Sequence, residues 1–87
     1  MGWAIEFEAR AERQLEKLNR RDAARIIALL DAIAALADPR MRGHALKGQL
    51  AGLWRYRAGD WRVVCRLEDH RLVVLVVKIG HRREVYD

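Results

Sequence analysis

The chain has 87 residues, 52% hydrophobic and 33% charged, which suffices to bury one hydrophobic core but not two, so residues 1–87 are expected to form a single folded domain. This composition excludes a disordered chain, because disordered chains contain too few apolar residues to bury a core. The net charge of +5 is concentrated in residues 40–87, where eleven Lys/Arg accompany five Asp/Glu, and this favours a polyanionic partner such as RNA, DNA, an acidic protein segment or an anionic membrane surface.

The N-terminal segment predicts a strand followed by a helix. In residues 1–7, Trp3, Ile5 and Phe7 alternate with smaller or charged residues, which is the period of a half-buried strand. Beyond this segment the period changes to helical spacing, with apolar positions at Ala11, Leu15 and Leu18.

A second helix is expected after the polar residues 19–22, which can cap its N-terminus. Its buried face is a broad apolar stripe made of Ile26, Leu29, Leu30, Ile33 and Leu36. Asp38-Pro39 is expected to end the helix, because proline disfavours helical backbone in the residue before it and donates no backbone hydrogen bond. The two helices should form a hairpin.

The middle of the chain predicts a basic loop and then a β-hairpin. Residues 40–52 show no sustained period and contain several glycines. Two alternating segments follow, residues 53–57 and 61–67, and Gly59-Asp60 between them is typical of a tight turn.

The last apolar segment, residues 72–77, is uninterrupted and predicts a central strand that is covered on both faces. The order β-α-α-β-β-β predicts an α+β fold, in which a helical hairpin packs on one face of a small, twisted, largely antiparallel sheet. The other face of the sheet is then available to a ligand.

Residue types exclude several kinds of chemistry. His44, His70, His81 and Cys65 lack metal-ligand spacing, so no metal or other cofactor is expected, and the absence of serine and threonine excludes Ser-His-Asp catalysis. Cys65 lies among valines and is expected in the core rather than as a nucleophile. A single cysteine, no signal-peptide pattern and no apolar run of membrane-spanning length predict a cytoplasmic protein without membrane association.

Cationic and aromatic side chains are the remaining candidates for function. They are Lys47, Arg55, Arg57, Arg62, Arg66, His81, Arg82, Arg83 and Tyr86. Arg55 and Arg57 share one face of a strand, and the hairpin brings Arg62 beside them, so three guanidinium groups can line one surface. Such crowding is unfavourable unless a ligand supplies anions, but a solvated strand face would carry the same pattern. Charge alone leaves both interpretations open.

Two segments resemble the RelE/ParE toxin superfamily: GLWRYRAGDWRV, residues 52–63, and IGHRREVY, residues 79–86. The likeness extends over nearly the whole chain, because WAIEF near the N-terminus, LEKL in the first helix and Asp38-Pro39 also fall in the family order. The resemblance implies a RelE-like fold and a toxin of a type II toxin–antitoxin system. It also implies a cognate antitoxin that wraps around the toxin, in a complex expected to be oligomeric.

The candidate site residues resemble the RelE branch, whose members enter the ribosomal A site and cleave messenger RNA there. By position, Arg55 and Arg57 match basic residues on the second strand, and Arg62 matches a phosphate-binding arginine on the third. Arg82 and Tyr86 match the C-terminal arginine and tyrosine of the family. The resemblance therefore implies a messenger-RNA endonuclease whose partners are the ribosome, with its ribosomal RNA, and messenger RNA.

Metal-free cleavage of RNA can be carried out by groups of this kind. The ribose 2′-hydroxyl attacks the adjacent phosphate, while the protein orients the attack, stabilises the developing charge and protonates the leaving 5′-oxygen. Arginines bind phosphate oxygens bidentately and stay charged, and Lys47 and Arg83 are expected to add RNA contacts. Tyr86 can stack on a base, donate a hydrogen bond or take part in proton transfer.

One departure from the family pattern concerns the general base. Where some members have lysines on the second strand, this chain has Leu53 and Arg55, and arginine does not give up its proton. His81 is a candidate base because imidazole titrates near neutrality, although it can also serve only to position RNA. Alternatively, geometry imposed by the ribosome supplies most of the acceleration.

Other interpretations concern the aromatic residues and the function itself. Trp3, Trp54, Tyr56 and Trp61 could form a base-stacking platform, but their alternation favours core positions for Trp3 and Trp61. A toxin resembling the ParE branch would inhibit DNA gyrase and cleave no RNA. A toxin fold that has lost catalysis would act as a binding module.

Overall fold

The structure, a computed structural model that describes residues 2–82, has two helices packed on one face of a five-stranded sheet. Its elements are β1 (Ala4–Phe7), α1 (Ala9–Glu16), α2 (Arg20–Ala34), β2 (His44–Ala45), β3 (Trp54–Ala58), β4 (Trp61–Glu68) and β5 (Val73–His81). The strand order is β1-β5-β4-β3-β2; β1 runs parallel to β5, and the other neighbouring strands are antiparallel. The α+β fold expected from the sequence is confirmed.

The second helix begins as predicted but ends earlier. The side chain of Asn19 accepts a hydrogen bond from the backbone N–H of Asp22 at 2.8 Å, which caps the first turn of α2. At the other end, the carbonyl of Ala34 accepts a hydrogen bond from the N–H of Trp3 at 2.8 Å. A Cβ at Gly2 would lie 2.6 Å from the same carbonyl oxygen, so only glycine permits this approach. The N-terminal segment thus packs against the end of α2 before Asp38-Pro39 is reached.

Packing between the helices and the sheet forms the core. On α2, Ile26, Leu30 and Ile33 are fully buried, and Val63 and Cys65 of β4 lie in the same cluster. Residues packed partly against this cluster include Trp3, Trp54 and Trp61. Trp3 and Trp61, predicted as core residues, are partly buried and lie at the edge of the core. Within residues 2–82, neither helix has the length and apolar character needed to span a lipid bilayer.

The last strand is longer than predicted and contains an irregularity. It continues to His81, beyond residue 77. Lys78 and Gly80 interrupt the apolar run, which is why the sequence predicted an earlier end, but they do not end the strand. Cys65 pairs with Val76 and Val64 pairs with Lys78, so the register shifts between these pairs. The side-chain oxygen of Gln14 accepts a hydrogen bond from the N–H of Ile79 at 2.7 Å, which ties α1 to β5 near the irregularity.

Residues 40–52 contain a strand that the sequence did not predict. The two-residue β2 pairs with β3, with His44 opposite Arg55, and two residues are too few to show a period. The segment before β2 packs on the helical side of β3. There Trp54 Nε1 donates a hydrogen bond to the carbonyl of Arg42 at 2.7 Å, and the hydroxyl of Tyr56 donates to the carbonyl of Pro39 at 2.8 Å.

The buried hydrogen bond of Tyr56 is expected to contribute measurably to stability. Tyr56 is 1% exposed, and burial raises the pKa of its hydroxyl, so the neutral donor form persists throughout the usual pH range. Tyr56→Phe leaves the Pro39 carbonyl without this donor and should lower the free energy of unfolding by about 1–2 kcal/mol. Urea unfolding measures the change. An unchanged midpoint would contradict a structural role for this bond.

The buried thiol of Cys65 is expected to be unreactive in the native protein. Burial raises its pKa to about 12, so almost no thiolate exists at pH 8. A chromogenic disulfide reagent at that pH should label the native protein at least about a thousandfold more slowly than the same protein in guanidinium chloride. Comparable labelling rates in the two conditions would show that Cys65 is accessible.

Candidate nucleic-acid interface

Arginines gather on the face of the sheet turned away from the helices, which we call the open face. Arg57 and Arg62 are direct partners across β3 and β4, and Arg55 lies two residues before Arg57 on β3, opposite Val64. Side chains of direct cross-strand partners start about 5 Å apart. Arg55, Arg57 and Arg62 therefore share one surface, as the sequence predicted, and we call them the arginine cluster.

Arg62 is the most enclosed member of the cluster. It is 8% exposed, whereas Arg55 is half-buried and Arg57 is exposed. Its Nη1 donates hydrogen bonds to the carbonyl of Gly59 at 3.1 Å and to that of Trp61 at 3.3 Å. These bonds fix the orientation of the guanidinium, and its low exposure strengthens the attraction that it exerts on a nearby anion.

The turn between β3 and β4 also holds Arg82. The N–H of Arg82 donates to the carbonyl of Asp60 at 2.7 Å, and Arg82 Nη1 lies 3.9 Å from Asp60 Oδ1. Gly59 in the same turn has a φ of 63°, a conformation that favours glycine. One turn therefore brings Arg62 and Arg82 to the same end of the sheet.

His81 does not join the arginine cluster. It pairs with Trp61 across β4 and β5, and their rings meet edge to face with centroids 5.6 Å apart. Since Trp61 packs on the core, His81 faces the helical layer, where it lines a small cavity with Asp22 and Arg25 of α2. The sequence grouped His81 with the arginines, but the structure places the two on opposite faces of the sheet.

Other candidate residues lie apart from the cluster or outside the described residues. Lys47 is exposed and lies in the segment that joins the edge strand β2 to β3. Arg66 follows Val64 on the open face of β4 and is exposed. Arg83 and Tyr86 lie outside the residues that the structure describes.

The sequence indicated no RNA-binding role for Lys78 or His44, yet both have places on the open face. Lys78 of β5 pairs with Val64, and His44 of β2 pairs with Arg55, so the four positions form one row across the sheet. A lysine inside an otherwise apolar strand was the available signal for Lys78. In residues 2–82, no group of three or more histidine, cysteine or acidic side chains is arranged to hold a metal ion.

Comparisons with known proteins place the chain among bacterial and archaeal toxins. Residues 5–86 match the family described as ParE toxin of type II toxin-antitoxin system, parDE. Toxin RelG of Mycobacterium tuberculosis is 30% identical over 87 residues, which cover 99% of this chain and 98% of RelG.

Solved structures show the same fold. A chain of the RelBE2 toxin–antitoxin complex of Mycobacterium tuberculosis superimposes with a TM-score of 0.84 and 26% identity, covering 97% of this chain and 95% of that chain. A chain of the archaeal RelE–RelB complex of Pyrococcus horikoshii gives a TM-score of 0.74 at 21% identity, covering 98% and 100%. A free mutant of Escherichia coli toxin RelE gives 0.76 at 23% identity, covering 93% and 84%.

Proposed function

This chain belongs to the RelE/ParE superfamily of toxins from type II toxin–antitoxin systems, and we propose that it is a messenger-RNA endonuclease of the RelE type that acts in the ribosomal A site. One observation carries the proposal: Arg55, Arg57 and Arg62 share the open face. A rigid sheet surface with several guanidinium groups suits an RNA phosphate, and its position opposite the helices leaves room for a strand of RNA.

In the proposed reaction, the ribose 2′-oxygen attacks the adjacent phosphorus and the bond from phosphorus to the 5′-oxygen breaks. The products are a 2′,3′-cyclic phosphate and a free 5′-hydroxyl. Arg62 and Arg82, held by the same turn, bind the phosphate oxygens as negative charge develops. Arg55 and Arg57 position the RNA on either side of the reacting phosphate. No metal ion is required for these steps.

The proton transfers need two further groups. Tyr86 is proposed to contact the scissile nucleotides, either by stacking on a base or by donating its proton to the leaving 5′-oxygen. The contact of His81 with Trp61, on the face opposite the arginine cluster, supports a role in holding the end of β5 in place rather than the role of general base. The proton of the 2′-hydroxyl is then left to solvent or to a group of the ribosome.

The proposed partners include an antitoxin as well as the ribosome and messenger RNA. The similar chain in the RelBE2 structure belongs to a toxin–antitoxin complex. An acidic antitoxin segment that folds over the open face would neutralise the arginine cluster and block access of RNA. Such binding should weaken as salt concentration rises.

Mapping of messenger-RNA 5′ ends after brief expression of the toxin tests this function. The proposal expects new 5′ ends within translated regions, phased with the codons, and their loss when translation initiation is blocked. Cleavage of untranslated RNA to the same extent, or no new 5′ ends during growth arrest, would contradict it.

Inhibition of DNA gyrase is the second candidate function, because the matched family is described as the ParE toxin. A supercoiling assay with purified gyrase distinguishes the two candidates: an endonuclease leaves supercoiling unchanged, whereas a gyrase inhibitor blocks it without cutting RNA. A toxin fold without catalysis would do neither and would still bind an antitoxin.

A further inference from the structure

A groove of about 300 Å³ lies on the open face beside the arginine cluster. Its apolar lining includes Leu53 of the segment before β3, Val64 of β4 and Val77 of β5. Its polar lining is one carboxylate, that of Glu8, and three cationic side chains, those of Arg10, Arg66 and Lys78. The groove therefore combines an apolar surface with a hydrogen-bond acceptor and several donors.

The groove and the arginine cluster are continuous. Val64 pairs with Arg55 on one side and with Lys78 on the other, so the row that begins in the cluster ends in the groove. Neighbouring strands lie about 4.8 Å apart, so Val64 in the groove lies one strand spacing from Arg55 in the cluster. The groove is therefore placed to receive a nucleotide next to one whose phosphate contacts the cluster.

The lining fits a nucleobase better than a phosphate alone. The three cations could attract a phosphate, but a phosphate alone would leave the apolar lining of Leu53, Val64 and Val77 without a contact, and the Glu8 carboxylate would repel it. A base instead has flat apolar faces and an edge that carries both N–H donors and acceptors. The Glu8 carboxylate only accepts hydrogen bonds and the Lys78 ammonium only donates them, so together they match both kinds of group on a base edge.

We propose that this groove binds the base of a nucleotide flanking the cleaved linkage, with Glu8 accepting from its N–H groups and Lys78 donating to its acceptors. This inference rests on the proposed function, because the cluster must hold the cleaved linkage for the groove to receive its neighbour. Glu8 is exposed at the start of α1 and does not cap the helix through its side chain, so its carboxylate is accessible to a ligand. Glu8 therefore acts as a specificity residue.

Programmed ribosomes provide the test. Messenger RNAs that differ in one base on either side of the cleaved linkage are prepared in a cleavable form and in a form with a 2′-methoxy group at the attacking position. Cleavage rates are measured on the first form, and binding of fluorescently labelled toxin on the second. Wild-type toxin should discriminate about tenfold between the best and worst base at one flanking position, the size expected for one charged hydrogen bond.

Glu8→Gln is the diagnostic variant, and Glu12→Gln is its matched control. Glu12 is also exposed on α1 but does not line the groove, so its replacement removes the same charge without touching the base. Glu8→Gln should reduce the discrimination to about twofold or change the preferred base, because an amide presents donors as well as an acceptor. Glu12→Gln should keep the wild-type order and range.

The outcomes separate this inference from the proposed function. If Glu8→Gln keeps the wild-type order and range, or if wild-type toxin shows no discrimination, the groove does not read a base. If Glu8→Gln instead weakens only binding of the neutralising antitoxin, the groove belongs to a protein partner and the inference fails. If none of the RNAs is cut while binding still depends on the base and on Glu8, the base site stands and the endonuclease activity fails.

Discussion

Arg62→Ala is expected to reduce cleavage of ribosome-bound messenger RNA by about 10²- to 10³-fold, the loss seen when one preorganised donor to a developing anion is removed. Arg62 is 8% exposed and its Nη1 is held by two carbonyls, so its guanidinium is oriented before a ligand binds. Single-turnover cleavage on programmed ribosomes measures the effect. Arg62→Lys keeps the charge but not the planar fork, and it should also be slow.

Removal of a nearly buried arginine can disturb the fold, so two further variants are needed. Arg57→Ala removes an exposed member of the cluster and should lower cleavage with little change in the melting temperature. Arg71→Ala is the control: Arg71 is an exposed arginine that forms ion pairs with Glu6 and Glu68. Equal loss of cleavage in Arg57→Ala and Arg71→Ala would mean that total charge matters rather than the cluster.

Tyr86→Ala is expected to abolish growth arrest and to lower ribosome-bound cleavage by about 10²- to 10⁴-fold, the range typical of a lost proton donor. Arg82→Ala should have a similar effect, because Arg82 is proposed to bind the reacting phosphate beside Arg62. Tyr86→Phe separates the two roles of the tyrosine. If stacking on a base dominates, this variant stays active, and if proton donation dominates, it is as slow as the alanine variant.

Folding and antitoxin binding serve as controls for the C-terminal variants. The melting temperature of each variant is measured, and a variant that keeps the wild-type value reports on the site rather than on the fold. Full cleavage by both Tyr86→Ala and Arg82→Ala would remove the C-terminal residues from the site. If a variant loses both cleavage and the fold, its result does not report on catalysis. The cleavage rate of Tyr86→Phe is then compared with that of the wild-type protein.

Most of the fold was predictable because its long elements have clear periods. The alternation along β3 and β4, with Gly59-Asp60 between them, determines the hairpin, and the apolar stripe of α2 determines its buried face. The packing at the end of α2 was not predictable from local sequence, since the residues that contact the Ala34 carbonyl, Trp3 and Gly2, are distant in sequence. The two-residue β2 was missed because pairing with β3, not its own sequence, defines it.

In the site, too, local features were predictable and features that depend on pairing with a distant strand were not. Arg55, Arg57 and Arg62 were placed together by strand alternation and one turn, both local features. The face occupied by His81 was not predictable, because the register shift on β5 changes the alternation: Val76 faces the core, and so do Ile79 and His81, which simple alternation would put on the other face. That shift also brings Lys78 to the open face.

A cryo-electron microscopy structure of the toxin on a ribosome would show whether the open face holds the RNA linkage to be cut. The messenger RNA would carry a 2′-methoxy group at the attacking position so that the bound state accumulates. We expect the A-site codon to cross β3, β4 and β5, with one phosphate in contact with Arg62. RNA bound against α1 and α2, with the arginine cluster facing solvent, would contradict it.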